Sequence, residues 1–143
     1  MDKGFYLNVA SNQNNTSFPD NRTSSFRLTL PKIMRLLPTG QWAIAMVEMK
    51  TPEIDPDYNT DYIRIETPEC RPSVDQNDVR PVLFKAFITN ATGGHIIAPS
   101  VLQYIPLATD NLHTMSFNIT GSNGEEVSFK PGNLYCTLHV IQL

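Results

Sequence analysis

The chain has 143 residues and a normal hydrophobic content of 41%, so it is long enough to bury one ordinary core without disulfides or metal ions. Only 17% of its residues are charged, which argues against a disordered tail and against a coiled coil. The net charge is −3 and the 11 Lys and Arg are scattered singly, so direct nucleic-acid binding, which needs a basic face or run, is not expected.

The first half of the chain carries strand patterns interrupted by prolines. Gly4–Ala10 and residues 24–30 alternate apolar with polar side chains, which predicts strands with one buried and one solvent-facing side. Residues 41–49 are apolar on both faces and indicate a central strand. Between these segments, the apolar spacing of PKIMRLLPTG indicates one or two helical turns confined by Pro31 and Pro38.

The second half continues with short strands separated by turn residues. The predicted strands are Asp61–Glu66, Val82–Asn90, Val101–Leu107, His113–Ile119, Glu126–Phe129 and Leu134–Leu143. The sequences GSNG and KPGN are expected to form tight turns, because Gly and Asn tolerate a positive φ. The stretch Thr67–Pro81 shows no strand pattern and is interpreted as a surface loop.

About eight or nine strands with almost no helix predict an all-β chain. The expected fold is an antiparallel β-sandwich, a single jelly roll of about eight strands. No internal repeat or linker interrupts residues 1–143, so one β-sandwich domain is predicted.

The termini and the apolar runs bear on the compartment. The N-terminal MDKGFYLNVASN has an acidic second residue and no long apolar segment, which argues against a secretory signal. No run approaches the roughly 18 apolar residues of a membrane span, so no membrane association is expected. In that setting the Asn-x-Ser/Thr sequons are interpreted as coincidences of a turn-rich chain; they begin at Asn14, Asn15, Asn21, Asn90 and Asn118.

The reactive side chains form no recognisable catalytic or metal-binding pattern. The three histidines, His95, His113 and His139, lack the spacing of a metal site. The acidic loop EIDPDYNTD offers oxygen ligands for a hard cation but lacks the EF-hand order, so a solvated loop is expected. No nucleophile elbow or phosphate-binding glycine loop is present. We therefore predict no enzyme, no catalytic or metal residues and no cofactor.

The two cysteines, Cys70 and Cys136, also match no metal-ligand spacing. Cys136 lies in the apolar run LYCTLHVI and is expected to be a small residue of the core or of a sheet face. A disulfide between the two stays open at the level of sequence.

Two segments carry more specific motifs. The first is FYLNVASNQNNTSFPDNRTSSFRLTLPKIMRL followed by GQWAIAMVEMKTP, and the second is MSFNITGSNGEEVSFKPGNLYCTLHV. Together they span about half of the chain, and they resemble segments of proteins from Polinton/Maverick elements and the related adintoviruses. The positions that carry the resemblance are Phe5, Tyr6, Ser11, Asn12, Phe18, Pro19, Asn21, Phe26, Leu30, Pro31, Gly40, Trp42, Ala45, Glu48, Pro52, Gly124, Val127, Phe129, Gly132, Leu138 and His139. The family often has a larger aliphatic residue where this chain has Ala43 and Ala45.

The resemblance implies a virion structural protein with a single-jelly-roll minor capsid or penton-type fold. Such a subunit would self-assemble at capsid vertices, with a pentamer favoured over a trimer, and would contact other capsid proteins in a virion assembled in the host cell. The alternative is a trimeric fibre-head, spike or lectin-like module that recognises a receptor or glycan. An enzyme on a cupin-like double sheet would instead need converging histidines and acids.

The motif residues are expected to specify the fold. Pro31 would end a strand because it lacks an N–H, Gly40 would allow a turn, and Trp42 would anchor the core, so that Trp42→Ala costs about 3–5 kcal/mol. Binding specificity is then expected in three loops, Glu53–Asp61, Thr67–Pro81 and Thr89–Pro99.

Overall fold

A computed structural model describes residues 4–38, 41–75, 77–88 and 93–143. Within these ranges the chain forms strands and no helix. The strands are β1 (Gly4–Ala10), β2 (Ser25–Arg35), β3 (Trp42–Thr51), β4 (Tyr62–Glu66), β5 (Ser73–Asp75), β6 (Asp78–Arg80), β7 (Val82–Phe87), β8 (His95–Ile97), β9 (Ile105–Pro106), β10 (Asn111–Gly121) and β11 (Tyr135–Gln142). Accordingly, no helix in those ranges is long and apolar enough to cross a membrane.

Two antiparallel sheets form a sandwich. The β1 sheet has the order β1-β11-β3-β8, with β9 also pairing with β3, and the β2 sheet has the order β2-β10-β4-β7. Leaving aside the short β9 and the separate hairpin β5-β6, the chain changes sheet after almost every strand, which is the topology of an eight-stranded jelly roll. The prediction of an all-β jelly-roll sandwich is confirmed.

The core lies between the inward faces of the two sheets. On β10 the alternating residues Met115, Phe117 and Ile119 are almost fully buried, and Phe117 stacks on Phe26 of β2 with ring centroids 5.3 Å apart. Ile44 and Met46 project from β3 to the same core. Each such side chain contributes about 1.5–3 kcal/mol of burial free energy, so the period-two pattern of the sequence is what holds the sheets together.

Strand β2 differs from the prediction. It runs through Pro31 to Arg35, so the helical turn predicted there and the strand end predicted at Pro31 are both wrong. Thr29 pairs with Thr114 and Met34 with Leu112, which makes the intervening residues of β2 bulge outward. A proline is tolerated here because β2 is an edge strand and the bulge requires no ladder bond from it. Gly40 lies outside the described residues.

Other predicted elements also have different bounds in the structure. The predicted loop Thr67–Pro81 contains the hairpin β5-β6, and the predicted strand Val101–Leu107 shortens to β9. Glu126–Phe129 is not a strand: it makes only isolated bridges, Thr120 with Glu126 and Ile54 with Phe129. The end of the predicted strand Val82–Asn90 lies outside the described residues.

Candidate assembly surfaces

The motif Phe18-Pro19-x-Asn21 forms a turn that lies against the free edge of β2. The Asn21 N–H donates to the Phe18 carbonyl at 3.1 Å, while the Asn21 side chain pairs with the main chain of Arg27 in both directions, at 2.7 and 2.8 Å. The Thr29 N–H donates to the Asn14 side chain at 3.0 Å. Two asparagines therefore take the place of a neighbouring strand, which is one way to protect a sheet edge.

Beyond Thr29, the edge of β2 adjoins an apolar groove of about 370 Å³. We call it the β2 groove; it is lined by Leu7, Leu30, Pro31, Lys32 and Met34. The groove separates the edge strands of the two sheets, β1 and β2. Lys32 and Arg35 are exposed beside it, so the groove is apolar inside and basic at its rim.

The outer face of the β2 sheet is covered by the hairpin β5-β6, which is held by ion pairs. Asp75 accepts hydrogen bonds from Arg64 at 2.9 Å and from Lys85 at 3.1 Å. Arg80 donates to Glu66 at 2.8 Å, and Thr120 donates to the same carboxylate at 2.8 Å. Because Arg64 and Glu66 are buried, their charges require these partners, and the hairpin is fixed to the sheet.

The other side of this hairpin points to solvent. Val74 and Val79 form a cross-strand pair and are 76% and 65% exposed, and Phe87 on the neighbouring β7 is 71% exposed. We call these three residues the hairpin face. Asp61 is adjacent, since its carbonyl accepts the Ile88 N–H at 2.9 Å. Exposed apolar side chains that form a contiguous patch mark interaction sites, and the cross-strand pair of Val74 and Val79 makes this face a candidate for one.

The outer face of the β1 sheet carries a row of aromatic residues. Tyr6 stacks on His139 with ring centroids 4.4 Å apart, and the Tyr104 hydroxyl lies 2.9 Å from Nδ1 of His139. Farther along the same face, a cleft of about 270 Å³ is lined by Asn8, Val9, Glu48, Lys50, Tyr135, Cys136 and Thr137. This face therefore combines tyrosine rings with polar side chains.

Trp42 lies at the rim of the core rather than at its centre. Its side chain is partly buried and packs against core residues, and its ring centroid is 6.3 Å from that of Phe5. That Trp42 anchors the core therefore stays a prediction, although the side chain is only partly buried. Trp42 is the first residue of β3, so its indole lies at the end of that strand and is partly buried.

Gly124 and Gly132 of the second motif lie in the turns on either side of Phe129. Gly124 has φ 80° and Gly132 has φ 151°, values that disfavour other residues. A Cβ on Gly132 would lie 3.1 Å from the ring of Pro52, so this turn also needs glycine for space. Phe129 is half-buried and its main chain bridges to Ile54. That these motif residues specify the fold stays a prediction.

The candidate reactive groups do not converge. In the described ranges, no group of three or more His, Cys, Asp or Glu side chains is placed to hold a metal ion. Two carboxylates of the acidic loop already have partners within the chain. Asp55 accepts the Asp57 N–H at 3.1 Å, and Glu53 forms an ion pair with Lys130 at 3.0 Å. Of the loops predicted to bind partners, Thr89–Pro99 lies partly outside the described residues, and its second half forms the strand β8 instead of a loop.

Both cysteines are buried free thiols, so Cys70 and Cys136 form no disulfide in this structure. Burial raises the pKa of each thiol to about 12; at Cys70 the nearby carboxylate of Glu69 adds to the effect. A thiol with so high a pKa is a poor nucleophile and a poor metal ligand at neutral pH. Cys136 belongs to the core, one of the two places expected for it.

Sequence reasoning missed the β2 groove and the hairpin face. The hairpin could have been predicted from the local sequence, because VDQNDV places two valines symmetrically around four polar residues. The groove has no such signal, since its residues come from β1 and β2, which no sequence pattern brings together.

The fold and surfaces together define a jelly-roll β-sandwich with an apolar groove at one edge and an exposed apolar face near the other. The crystal structure of the selenomethionine-labelled mavirus penton protein matches 99% of this chain and 100% of that chain, with a TM-score of 0.65. The identity is 9%, so the likeness shows a shared fold. No protein-family model and no curated protein sequence matches the chain.

Proposed function

We propose that the chain is a penton-type structural subunit of a virus or virus-like element, which self-assembles at capsid vertices. The observation that carries this proposal is the match to the mavirus penton protein, which covers 99% of this chain and 100% of that chain. The resemblance to Polinton/Maverick and adintovirus proteins supports it independently, because that resemblance rests on sequence motifs and the match rests on backbone geometry.

The proposal has consequences for partners and location. The subunit would form a homo-oligomer, a pentamer in preference to a trimer, and would contact other capsid proteins in a virion assembled in the host cell. Its role would be structural rather than catalytic, without a cofactor and without direct contact to nucleic acid or membrane. The whole chain, residues 1–143, would act as one β-sandwich domain.

The first test is the solution mass of the purified chain, measured by size-exclusion chromatography with multi-angle light scattering. A pentamer, seen as five-fold rings by negative-stain electron microscopy, supports the proposal. A trimer contradicts the vertex role and favours the fibre-head alternative. A chain that stays monomeric at the highest soluble concentration contradicts self-assembly.

A second candidate, a glycan-binding module, is favoured by the outer face of the β1 sheet. Exposed Tyr6 and Tyr135 lie on the same face as Asn8 and Thr137, which combines aromatic platforms with hydrogen-bonding side chains. A glycan array probed with the isolated chain tests this candidate. Binding that is lost in Tyr6→Ala and Tyr135→Ala but kept in Val101→Ala would support it, and the absence of binding would remove it.

A further inference from the structure

We infer that the β2 groove of one copy of this chain receives the hairpin face of a second copy, so that identical head-to-tail contacts close a ring. This inference rests on the proposed self-assembly and names the two surfaces that meet. Three properties of the surfaces carry it: their positions, their chemistry and their rigidity.

The two surfaces lie toward opposite edges of the same sheet. The groove borders β2, which is the first strand in the order β2-β10-β4-β7, and Phe87 belongs to β7, which is the last. A contact between two different surfaces on opposite sides of a subunit can repeat around an axis. The copies close into a ring when the rotation from one copy to the next is a whole fraction of a full turn. A contact between two copies of the same surface would stop at a dimer.

The two surfaces are chemically complementary. The groove is lined almost entirely by apolar atoms and has no large side chain in it, whereas the hairpin face presents Phe87 as an exposed aromatic anchor. The groove rim is basic, with Lys32 and Arg35. Beside Phe87, Asp61 is exposed, whereas the Lys85 ammonium 5.7 Å from the Phe87 ring is already paired with Asp75. In the described residues none of Lys32, Arg35 and Asp61 belongs to an ion pair, so each can pair with another copy without breaking an existing contact. Such complementarity orients association, and a buried aromatic anchor supplies affinity.

The hairpin face is already fixed before any contact is made. The ion pairs of Asp75 and Glu66 hold the hairpin on the β2 sheet, and Lys85 lies 4.0 Å above the ring of Tyr62, which also packs edge-on against Phe87. A surface that needs no ordering on binding loses less conformational entropy. Charged groups in this part of the sheet therefore serve to present an apolar surface rather than to form a site.

Two variants of the full chain test the contact. Phe87→Asp removes the anchor and leaves the groove intact, while Lys32→Glu/Arg35→Glu reverses the rim and leaves the hairpin face intact. Both change exposed side chains, so thermal unfolding is expected to stay near that of the wild type, and this is measured for each. Val101→Asp, an equally exposed apolar position on another part of the surface, is the matched control.

Each variant alone is expected to raise the concentration needed for half-assembly by about 30-fold, which corresponds to a hot-spot loss of about 2 kcal/mol. Val101→Asp is expected to assemble like the wild type. The mixture of the two variants is the sharpest measurement, because it contains one intact groove and one intact hairpin face. We expect it to form a 1:1 heterodimer and no ring, as read by light scattering.

Three results would overturn the inference. A wild-type oligomer that persists in both variants would mean that assembly uses other surfaces, and the proposed function would then survive without this contact. Variants that dissociate but do not pair when mixed would mean that the two surfaces do not meet. A wild-type chain that stays monomeric would contradict both this inference and the proposed self-assembly.

Discussion

At the scale of single residues, Ala45 shows how a small side chain accommodates a neighbour. Ile44 pairs with Ile105 in antiparallel register, which places Tyr104 beside Ala45, and Tyr104 reaches across Ala45 to His139. Ala45 is completely buried on the outer face of its sheet as a result. A larger aliphatic residue at position 45 would crowd this ring.

We therefore predict that Ala45→Leu lowers the free energy of unfolding by about 2 kcal/mol through overpacking. Urea denaturation measures the loss, and Ala108→Leu at an exposed position is the control. Adding Tyr104→Ala to Ala45→Leu is expected to recover part of the loss, since the leucine then has space. Equal losses in Ala45→Leu and Ala108→Leu would disprove the packing argument.

The expected loss of unfolding free energy in Trp42→Ala is smaller than the sequence pattern predicts. Since its indole is only partly buried, we expect Trp42→Ala to cost about 2 kcal/mol rather than the full core value. The measurement is again denaturant unfolding. A Phe5→Ala/Trp42→Ala double mutant should lose less than the sum of the single mutants, because the two rings pack on each other. A cost near zero would contradict packing at the core rim.

Glu126 makes stability depend on pH. The hydrogen bond from Arg22, with a further one from Ser24, holds the pKa of Glu126 below its usual range against the opposing effect of burial. The folded pKa lies below the unfolded one, so the stabilisation is fully present above the unfolded pKa and is lost as pH falls through the folded pKa.

The pair is substantially exposed, so its contribution is under about 1 kcal/mol. We predict that thermal stability measured from pH 6 to pH 3 falls less steeply in Glu126→Gln than in the wild type. Arg22→Gln, which removes the partner, should flatten the profile in the same direction. Parallel profiles in all three proteins would refute a role for this pair.

At the scale of elements, the hairpin β5-β6 depends on charges rather than on apolar burial. Asp75 accepts from two cations, and Arg64 beside it has a side chain that is only 5% exposed. Asp75→Ala would leave Arg64 buried with the Gly121 carbonyl as its remaining partner in the described residues. We predict a loss of about 3 kcal/mol in unfolding free energy.

Asp78→Ala is the matched control for this prediction. Asp78 belongs to the same hairpin, but its side chain is 61% exposed, so its loss should cost under about 1 kcal/mol. Hydrogen exchange of the hairpin amides adds a local readout, with faster exchange expected in Asp75→Ala only. Indistinguishable effects of the two substitutions would contradict the assigned role of Asp75.

The elements also differ in how well the sequence predicts them. β1 has the predicted bounds Gly4–Ala10, because its alternation is regular and turn residues follow it. The sequence predicts that β2 ends at Pro31, but the strand continues to Arg35, because an edge strand with a bulge tolerates a proline that a central strand does not. The helical spacing of residues 31–40 is misleading. A helix of one or two turns is unstable by itself, whereas Met34 and Arg35 form backbone pairs with β10.

At the scale of the whole molecule, the two thiols report on global unfolding. Cys70 and Cys136 are buried from different parts of the chain, and burial raises both pKa values to about 12. We predict that dithiobis(nitrobenzoic acid) at pH 8 titrates both thiols in denaturant and neither in the folded chain at short times. Immediate labelling of one thiol, or recovery of fewer than two in denaturant without reductant, would contradict the buried, unbridged arrangement.

The sequence by itself determined most of the longer strands, the turn glycines and the all-β sandwich, since alternation and turn chemistry act between residues that are close in the chain. Its motifs also pointed to virion structural proteins. The tertiary structure alone decided which strands are neighbours and therefore where the surfaces lie. The β2 groove joins β1 to β2, the charges of β4 meet those of β5 and β6, and Tyr104 crosses Ala45 to reach His139. These contacts join residues distant in sequence, and local patterns cannot specify them because many pairings of the same strands would satisfy the same alternation.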